Sequence, residues 1–509
     1  MLAKRLTVQE RPMKPDFIVP KSILIVICLI ATSLRAGERT QNFDKDPNWE
    51  GTNNRIEKKA PPVTQDFGYR TTNLAGKAAG EMGGTVTRAS EPAFYADKIS
   101  PRTLNDKLSA SGTFAITKTT GGSGLFFGFF KGDQPGATGR PTNSLGLDMD
   151  GEGAGARLAV RLITGKNQSC GTFVTSYLPG KYRPTPIRND GTRYTWKLDY
   201  DPAGANGRGQ FTFTIHGDAP KPEEFLNAKL PEKFMEEAKK RFPITTTFTV
   251  DLPEGYREQG TTFDHFGLLN GMKPGGRMTI HFDDLSYEGK SQDFSHDPSW
   301  DAARNQGTYQ PADAVGAQNF GYSNTHLAGG EKPGEVGGTF WRTESPVAWY
   351  ADRVGPLTLD NKLIARGKIA FAAGSPDSGM VIGWFNSKTI DSHDGLKDFV
   401  GVRLEGPTRV GHYFAPFVAT SEGVIGKLEK APVVPPDSKP RQFSIEYDPK
   451  ANNGAGAVVV HLDNESATLN LKSRGKRNAH LDHFGVIAPH PGGSQVKVYL
   501  DDLTYTATP

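Results

Sequence analysis

The chain repeats itself once, and that duplication limits its fold more than any other feature. Phe43-x-x-Asp-Pro-x-Trp49 returns as Phe294-x-x-Asp-Pro-x-Trp300, and Phe67-Gly-Tyr69 as Phe320-Gly-Tyr322. Gly80-Glu-Met-Gly-Gly-Thr85 returns as Gly334-Glu-Val-Gly-Gly-Thr339, followed by Arg88 and Arg342. Phe94-Tyr-Ala-Asp97 matches Trp349-Tyr-Ala-Asp352, and Tyr200-Asp-Pro202 matches Tyr447-Asp-Pro449. Asp264-His-Phe-Gly267 matches Asp482-His-Phe-Gly485, and Asp283-Asp-Leu285 matches Asp501-Asp-Leu503. The blocks keep one order at a period of about 250 residues, far beyond any solenoid repeat, so a whole domain has been duplicated. The expected copies are residues 37–289 and 290–509, with almost no linker between them. Residues 219–243 occur in the first copy alone. There Phe234, Ala238 and Phe242 follow Pro231 at i, i+4 spacing, which predicts a short amphipathic helical insertion.

Elsewhere the hydrophobic period is two. Thr195–Tyr200, Phe211–Ile215, Gln442–Tyr447 and Gln495–Leu500 alternate as half-buried strands do. Asp201-Pro-Ala-Gly and Asp448-Pro-Lys-Ala supply turn chemistry between them. With 59 glycines and 36 prolines, the chain suits an all-β architecture of short strands and many turns. The fold class expected is two tandem antiparallel β-sandwich domains of jelly-roll type.

Residues 1–36 read as a secretory signal: Lys4, Arg5, Arg11, Lys14 and Lys21, then the apolar run Ile23–Ala31, then small residues up to Ala36. The run is shorter than the roughly 20 residues a spanning helix needs, which argues against membrane insertion after cleavage. The expected location is secreted, periplasmic or at the cell surface. The whole chain carries 60 basic and 56 acidic residues. Residues 1–36 hold six and two of these, leaving 54 of each. A neutral body argues against nucleic acid as partner. Of the two cysteines only Cys170 lies beyond residue 36, so no internal disulfide is available.

Each copy resembles the concanavalin A-like or jelly-roll β-sandwiches used as carbohydrate-binding modules. The likeness rests on the Tyr-Asp-Pro turn after an alternating strand and on the closing Asp-Asp-Leu-x-Tyr of residues 283–287 and 501–505. It implies a polysaccharide or glycan ligand. It also implies a possible structural calcium near the final strand, for which Asp284 and Asp502, with Asp46 and Asp297 of the Asp-Pro-x-Trp motifs, are the candidates. Hard cations take oxygen ligands, but strand neighbours face opposite ways, so one Asp of each pair at most could serve. No other cofactor is required.

Sugars present flat C–H faces to aromatic rings. Tyr95, Tyr350 and Trp349, each close to an Asp, are the candidates for a ligand face, and burial in the core is the competing expectation. Glu81, Glu335, Arg88 and Arg342 are their polar companions, or form internal ion pairs. Asp148, Asp150 and Glu152 resemble the alternating acidic motif of hydrolases built on this fold. A retaining hydrolase needs carboxyls about 5–5.5 Å apart, and strand residues i and i+2 share a face at roughly 6.6 Å. The second copy has Arg403, Glu405 and Pro407 there. In Asp-His-Phe-Gly the histidine is expected to bond its neighbouring carboxylate. The function expected is a non-catalytic protein binding glycans or cell-envelope polymer. The alternatives are a polysaccharide hydrolase acting in the first copy and a structural or adhesive surface protein.

Overall fold

In the computed structural model the alternating segments are strands, and the alternation sets their burial. Arg193–Asp201 buries Tyr194, Trp196, Leu198 and Tyr200 while the residues between face outward. The described residues are 37–509 except 135–138, 154, 175–186, 218–243, 343–346, 375–376, 391–395, 409–410, 422, 429–430, 473–478 and 489–492. The signal expected at 1–36 and the helical insertion expected at 219–243 fall outside them. Residues 37–509 form one compact unit, and no described helix is long and apolar enough to cross a membrane.

Four antiparallel sheets make two sandwiches. In the first, a nine-stranded sheet centred on Leu108–Thr119 and Arg277–Tyr287 faces a seven-stranded sheet centred on Gly124–Phe130 and Thr262–Asn270. Phe127 and Phe282 stack across the gap at 3.9 Å, and Phe266 on Tyr287 at 4.3 Å. In the second, a nine-stranded sheet centred on Leu363–Gly374 and Gln495–Thr506 faces an eight-stranded sheet centred on Ser378–Phe385 and His480–Ala488. There Phe484 stacks on Tyr505 at 4.2 Å. Stacked rings gain about a kcal/mol beyond their burial. The Tyr-Asp-Pro motifs act as anticipated. The buried Tyr200 and Tyr447 hydroxyls donate to the Leu104 and Leu359 carbonyls at 2.8 Å, and Asp201 and Asp448 accept backbone N–H groups two residues on.

The sequence repeat and the sandwich are out of phase. The strand Lys290–Gln292 folds back on Arg277–Tyr287, Asp301–Ala303 pairs with Phe94–Thr103, and Gln306–Tyr309 pairs with Val63–Arg70. Residues 290–309, which open the second sequence repeat, therefore complete the first sandwich. The equivalent N-terminal residues complete the second. Glu38–Gln41 pairs with Gln495–Thr506, Glu50–Thr52 with Ala348–Thr358, and Arg55–Ile56 with Gln318–Ser323. Phe43 and Trp49 enter the second core, and Phe294 and Trp300 the first. Homology shows which segments are alike, not which copy they pack on. We call residues 38–56 the first arm and 290–309 the second.

Candidate functional site

The aromatic candidates serve the arms. Tyr95 is buried, lies 5.6 Å from Trp300 and donates its hydroxyl to Asp297 at 3.1 Å. Tyr350 repeats this with Trp49 at 5.7 Å and Asp46 at 3.2 Å. Burial, with the Asp charge beside each, raises both phenol pKa values. Trp349, 8% exposed, packs on Phe385 and His483. None of the three offers an open ring face. The expected histidine–carboxylate bond is present in both copies, and each ring also reaches an arm. His265 lies 2.5 Å from Asp264 and 3.1 Å from Asp301, and His483 lies 2.7 Å from Asp482 and 3.2 Å from Glu50.

The buried glutamates hold loops and do not pair with the arginines. Glu81 accepts the Ala75 N–H at 2.7 Å and the Thr72 hydroxyl, with the His281 ring 3.2 Å away. Burial alone would raise its pKa, but these donors outweigh it and hold the value at about 2. Glu335 accepts the Leu327 and Ala328 N–H groups at 3.0 and 2.7 Å, and the Thr325 hydroxyl.

Three of the four acids expected to hold calcium have other partners. Asp46 and Asp297 accept the Asn48 and Ser299 N–H groups. Asp502 sits 2.8 Å from Lys368, and Asp284 is exposed at a bulge with φ of 50°. Among the described residues no three His, Cys, Asp or Glu side chains gather as metal ligands. The Asp that turns inward is the first of each pair. Burial, with Asp284 and Glu81 nearby, pushes Asp283 up to about 6, and burial with Asp502 and Glu335 does the same to Asp501.

The remaining sequence candidates do meet. Asp148 and Asp150 share a face of the strand Ser144–Gly151, opposite the core residue Met149. Arg157 stands across from Asp150 in register on the next strand. Arg88 reaches Asp150 at 2.5 Å, Arg157 reaches Glu152 at 2.5 Å, and Arg140 and Arg161 both reach Asp148 at 2.9 Å. Arg88 lies flat because glycines clear its path: a Cβ on Gly124 would stand 2.7 Å from its Nε, and one on Gly271 2.8 Å. Together Arg88, Arg140, Arg157, Lys273, Asp150 and Glu152 line a cavity of about 320 Å³, with the backbone of Gly121-Gly122 on its rim. Asp377 of the second sandwich also lines it. Burial and the neighbouring Asp148 raise the Asp150 pKa against the pull of Arg88. Burial lowers that of Lys273, against Asp377. Arg342, the counterpart of Arg88, pairs with Glu405, the counterpart of Asp150, at 3.5 Å.

Sequence reasoning found Arg88, Asp150 and Glu152 but not Arg140, Arg157, Lys273 or Asp377. Alternation could have offered Arg157, and Lys273 is marked by its glycine-flanked turn, but nothing local brings in Asp377. A larger cavity, about 490 Å³, lies beside His483 and is lined by Arg39, Arg353 and Lys388. Its two arginines are committed to Asp352 and Glu50, and it belongs to the second sandwich alone.

No protein-family model matches the chain, and no curated protein matches its sequence. Among solved structures it is similar to domains LG4-5 of the mouse laminin α1 chain, at 11% identity over 88% of this chain and 99% of that one, with a TM-score of 0.24. It is similar to arcelin-5, a lectin-like defence protein of Phaseolus vulgaris, at 11% identity over 51% and 100%, TM-score 0.21. It is also similar to the GH43 protein BlXynB of Bacillus licheniformis, at 10% identity over 90% and 99%, TM-score 0.22. Likeness at this distance carries no function. The all-β, antiparallel sandwich architecture stands on the strand pairing itself.

Proposed function

We propose that this is an exported, non-catalytic protein that binds glycans or cell-envelope polymer, with the cavity between Arg88 and Asp377 as its binding site. The observation that carries the reading is the convergence of six charged side chains from the first sandwich and one from the second on a single cavity of about 320 Å³. Ligand sites of this kind hold a few hundred Å³ and fix orientation through a small set of placed polar groups. Guanidinium–carboxylate pairs held rigid by their neighbours present donors and acceptors side by side, which is what vicinal hydroxyls require. Retention of the protein on insoluble or arrayed polysaccharides tests the reading. Lys273→Ala and Arg157→Ala should each weaken retention about tenfold or more, with melting unchanged. Retention unaffected by both changes would remove this cavity from the function.

The hydrolase reading keeps one favourable observation: Asp150 holds its proton more tightly than an ordinary carboxyl and lies two residues from Asp148. Against it, Asp148, Asp150 and Glu152 each sit within 3 Å of an arginine. Release of reducing ends that vanishes in Asp150→Asn would establish it over the binding reading.

A further inference from the structure

The two sandwiches differ in how they acquire their arms. In the first, the strand Arg277–Tyr287 turns at Glu288-Gly289 straight into Lys290–Gln292, so the arm follows continuously. In the second, Gln495–Thr506 receives an arm that begins elsewhere in the chain. Gly37 accepts the Ala507 and Thr508 N–H groups at 2.5 and 3.1 Å, which puts the start of the first arm against the end of that strand. All else matches. Phe43 and Trp49 sit as Phe294 and Trp300 do, with ring centroids 5.3 Å apart in both. Phe43 and Phe294 share φ of 51°. Tyr350 holds Asp46 as Tyr95 holds Asp297, and His483 meets Glu50 as His265 meets Asp301. Ion pairs add Glu38–Arg366 at 3.0 Å, Glu50–Arg353 at 2.8 Å and Asp44–Lys332 at 3.2 Å.

Every one of these contacts lies within the arm and the second sandwich. Among the described residues, the first arm joins the body of the first sandwich through residues 57–62, which run from the end of Arg55–Ile56 to the start of Val63–Arg70. We infer that the second sandwich takes this arm equally from another copy of the chain, so that the protein can join to itself head to tail. The donated arm would bring the same two aromatic side chains, the same three short pairings and the same ion pairs. The two states differ mainly in the loop-closure entropy of the 57–62 connection. A short connection of this kind is worth an effective concentration of the order of millimolar, which favours self-closure in dilute solution and exchange where copies crowd. The contact is heterologous, so it closes into a ring or extends into a chain of molecules.

The test is to shorten the connection. In protein comprising residues 37–509, deletion of 58–61 cuts the connection between Arg55–Ile56 and Val63–Arg70 to residues 57 and 62, and at about 3.5 Å per residue at most this should penalise closure of the arm on its own sandwich. Light scattering should then give twice the single-chain mass or more, and adding Trp49→Ala to the deletion should return it to one. A deletion variant that stays at single-chain mass, or an oligomer that survives Trp49→Ala, overturns the inference. A second measurement does not depend on how the deletion variant folds. In the 37–509 protein carrying Trp49→Ala, a synthetic peptide of residues 37–56 should displace the weakened arm. It should bind at least tenfold more tightly than the same peptide carrying Trp49→Ala. Equal binding of the two peptides overturns the inference as well.

Discussion

Replacing Trp49 by alanine should damage the half of the molecule farthest from it in sequence. Trp49 is 8% exposed and packs on Phe43 at 5.3 Å, Tyr350 at 5.7 Å and Tyr505 at 6.0 Å. Removing a buried tryptophan costs about 3–5 kcal/mol through lost transfer energy and the cavity left behind. Against the 5–15 kcal/mol that holds a typical domain, that is a large share. If the loss falls on the second sandwich, amide exchange should quicken by a factor of about 10² to 10⁴ in the strands that receive the arm, Gln495–Thr506 and Ala348–Thr358. Val63–Arg70 and Gly124–Phe130, in the sandwich that follows Trp49 in the chain, should keep their protection. Trp300→Ala, with its counterpart packing on Tyr95 and Tyr287, should give the mirror result in Phe94–Thr103 and Val63–Arg70. Hydrogen exchange read by peptide mass resolves all five regions. Loss of protection in Val63–Arg70 on Trp49→Ala, with Gln495–Thr506 untouched, would refute the crossed packing.

Other consequences follow from buried carboxyls and close-packed glycines. Asp283 and Asp501 bind protons more tightly folded (about 6) than unfolded (3.8), so they favour the folded state on the acid side. Stability should fall as pH rises from about 4 to 6, by on the order of 2 kcal/mol for each group, and Asp501→Asn should remove its share in denaturant titrations at pH 5 and 8. Glu81, held at about 2 against 4.5, acts the opposite way: its contribution is present above pH 4.5 and is lost as pH falls toward 2, and Glu81→Gln should flatten that limb. Glu335→Gln should cost about 2–4 kcal/mol in thermal or denaturant unfolding, because several N–H and O–H donors lose a charged acceptor. Gly124→Ala should force Arg88 off Asp150 and weaken polysaccharide retention without unfolding the second sandwich.

The sheets were legible because each strand carries its own signal. The alternation in Arg193–Asp201 and the turn residues after it need no distant partner to be read. The site was half legible for the same reason: Asp148 and Asp150 share a face by strand period alone. Long-range placement was not legible. Tyr95 stands next to Asp97 in sequence, yet its hydroxyl goes to Asp297, and Arg88 follows Glu81 closely, yet pairs with Asp150. Asp377 joins the cavity only because two sandwiches meet there. The arms are the sharpest case: two segments that share the same Phe-x-x-Asp-Pro-x-Trp motif give the sequence no means of saying which groove each one fills.

The crossed arms also set an order of assembly. A ribosome makes Glu38–Gln41 before any other described strand, and its partner Gln495–Thr506 after all of them. The first sandwich can be finished while the chain is still growing. The opening segment has to stay unmated until synthesis reaches the far end. Its pairing pieces are four, three and two residues long and carry Glu38, Arg39, Glu50 and Arg55, and brevity and charge are what keep a lone strand from mating with a stranger during such a wait.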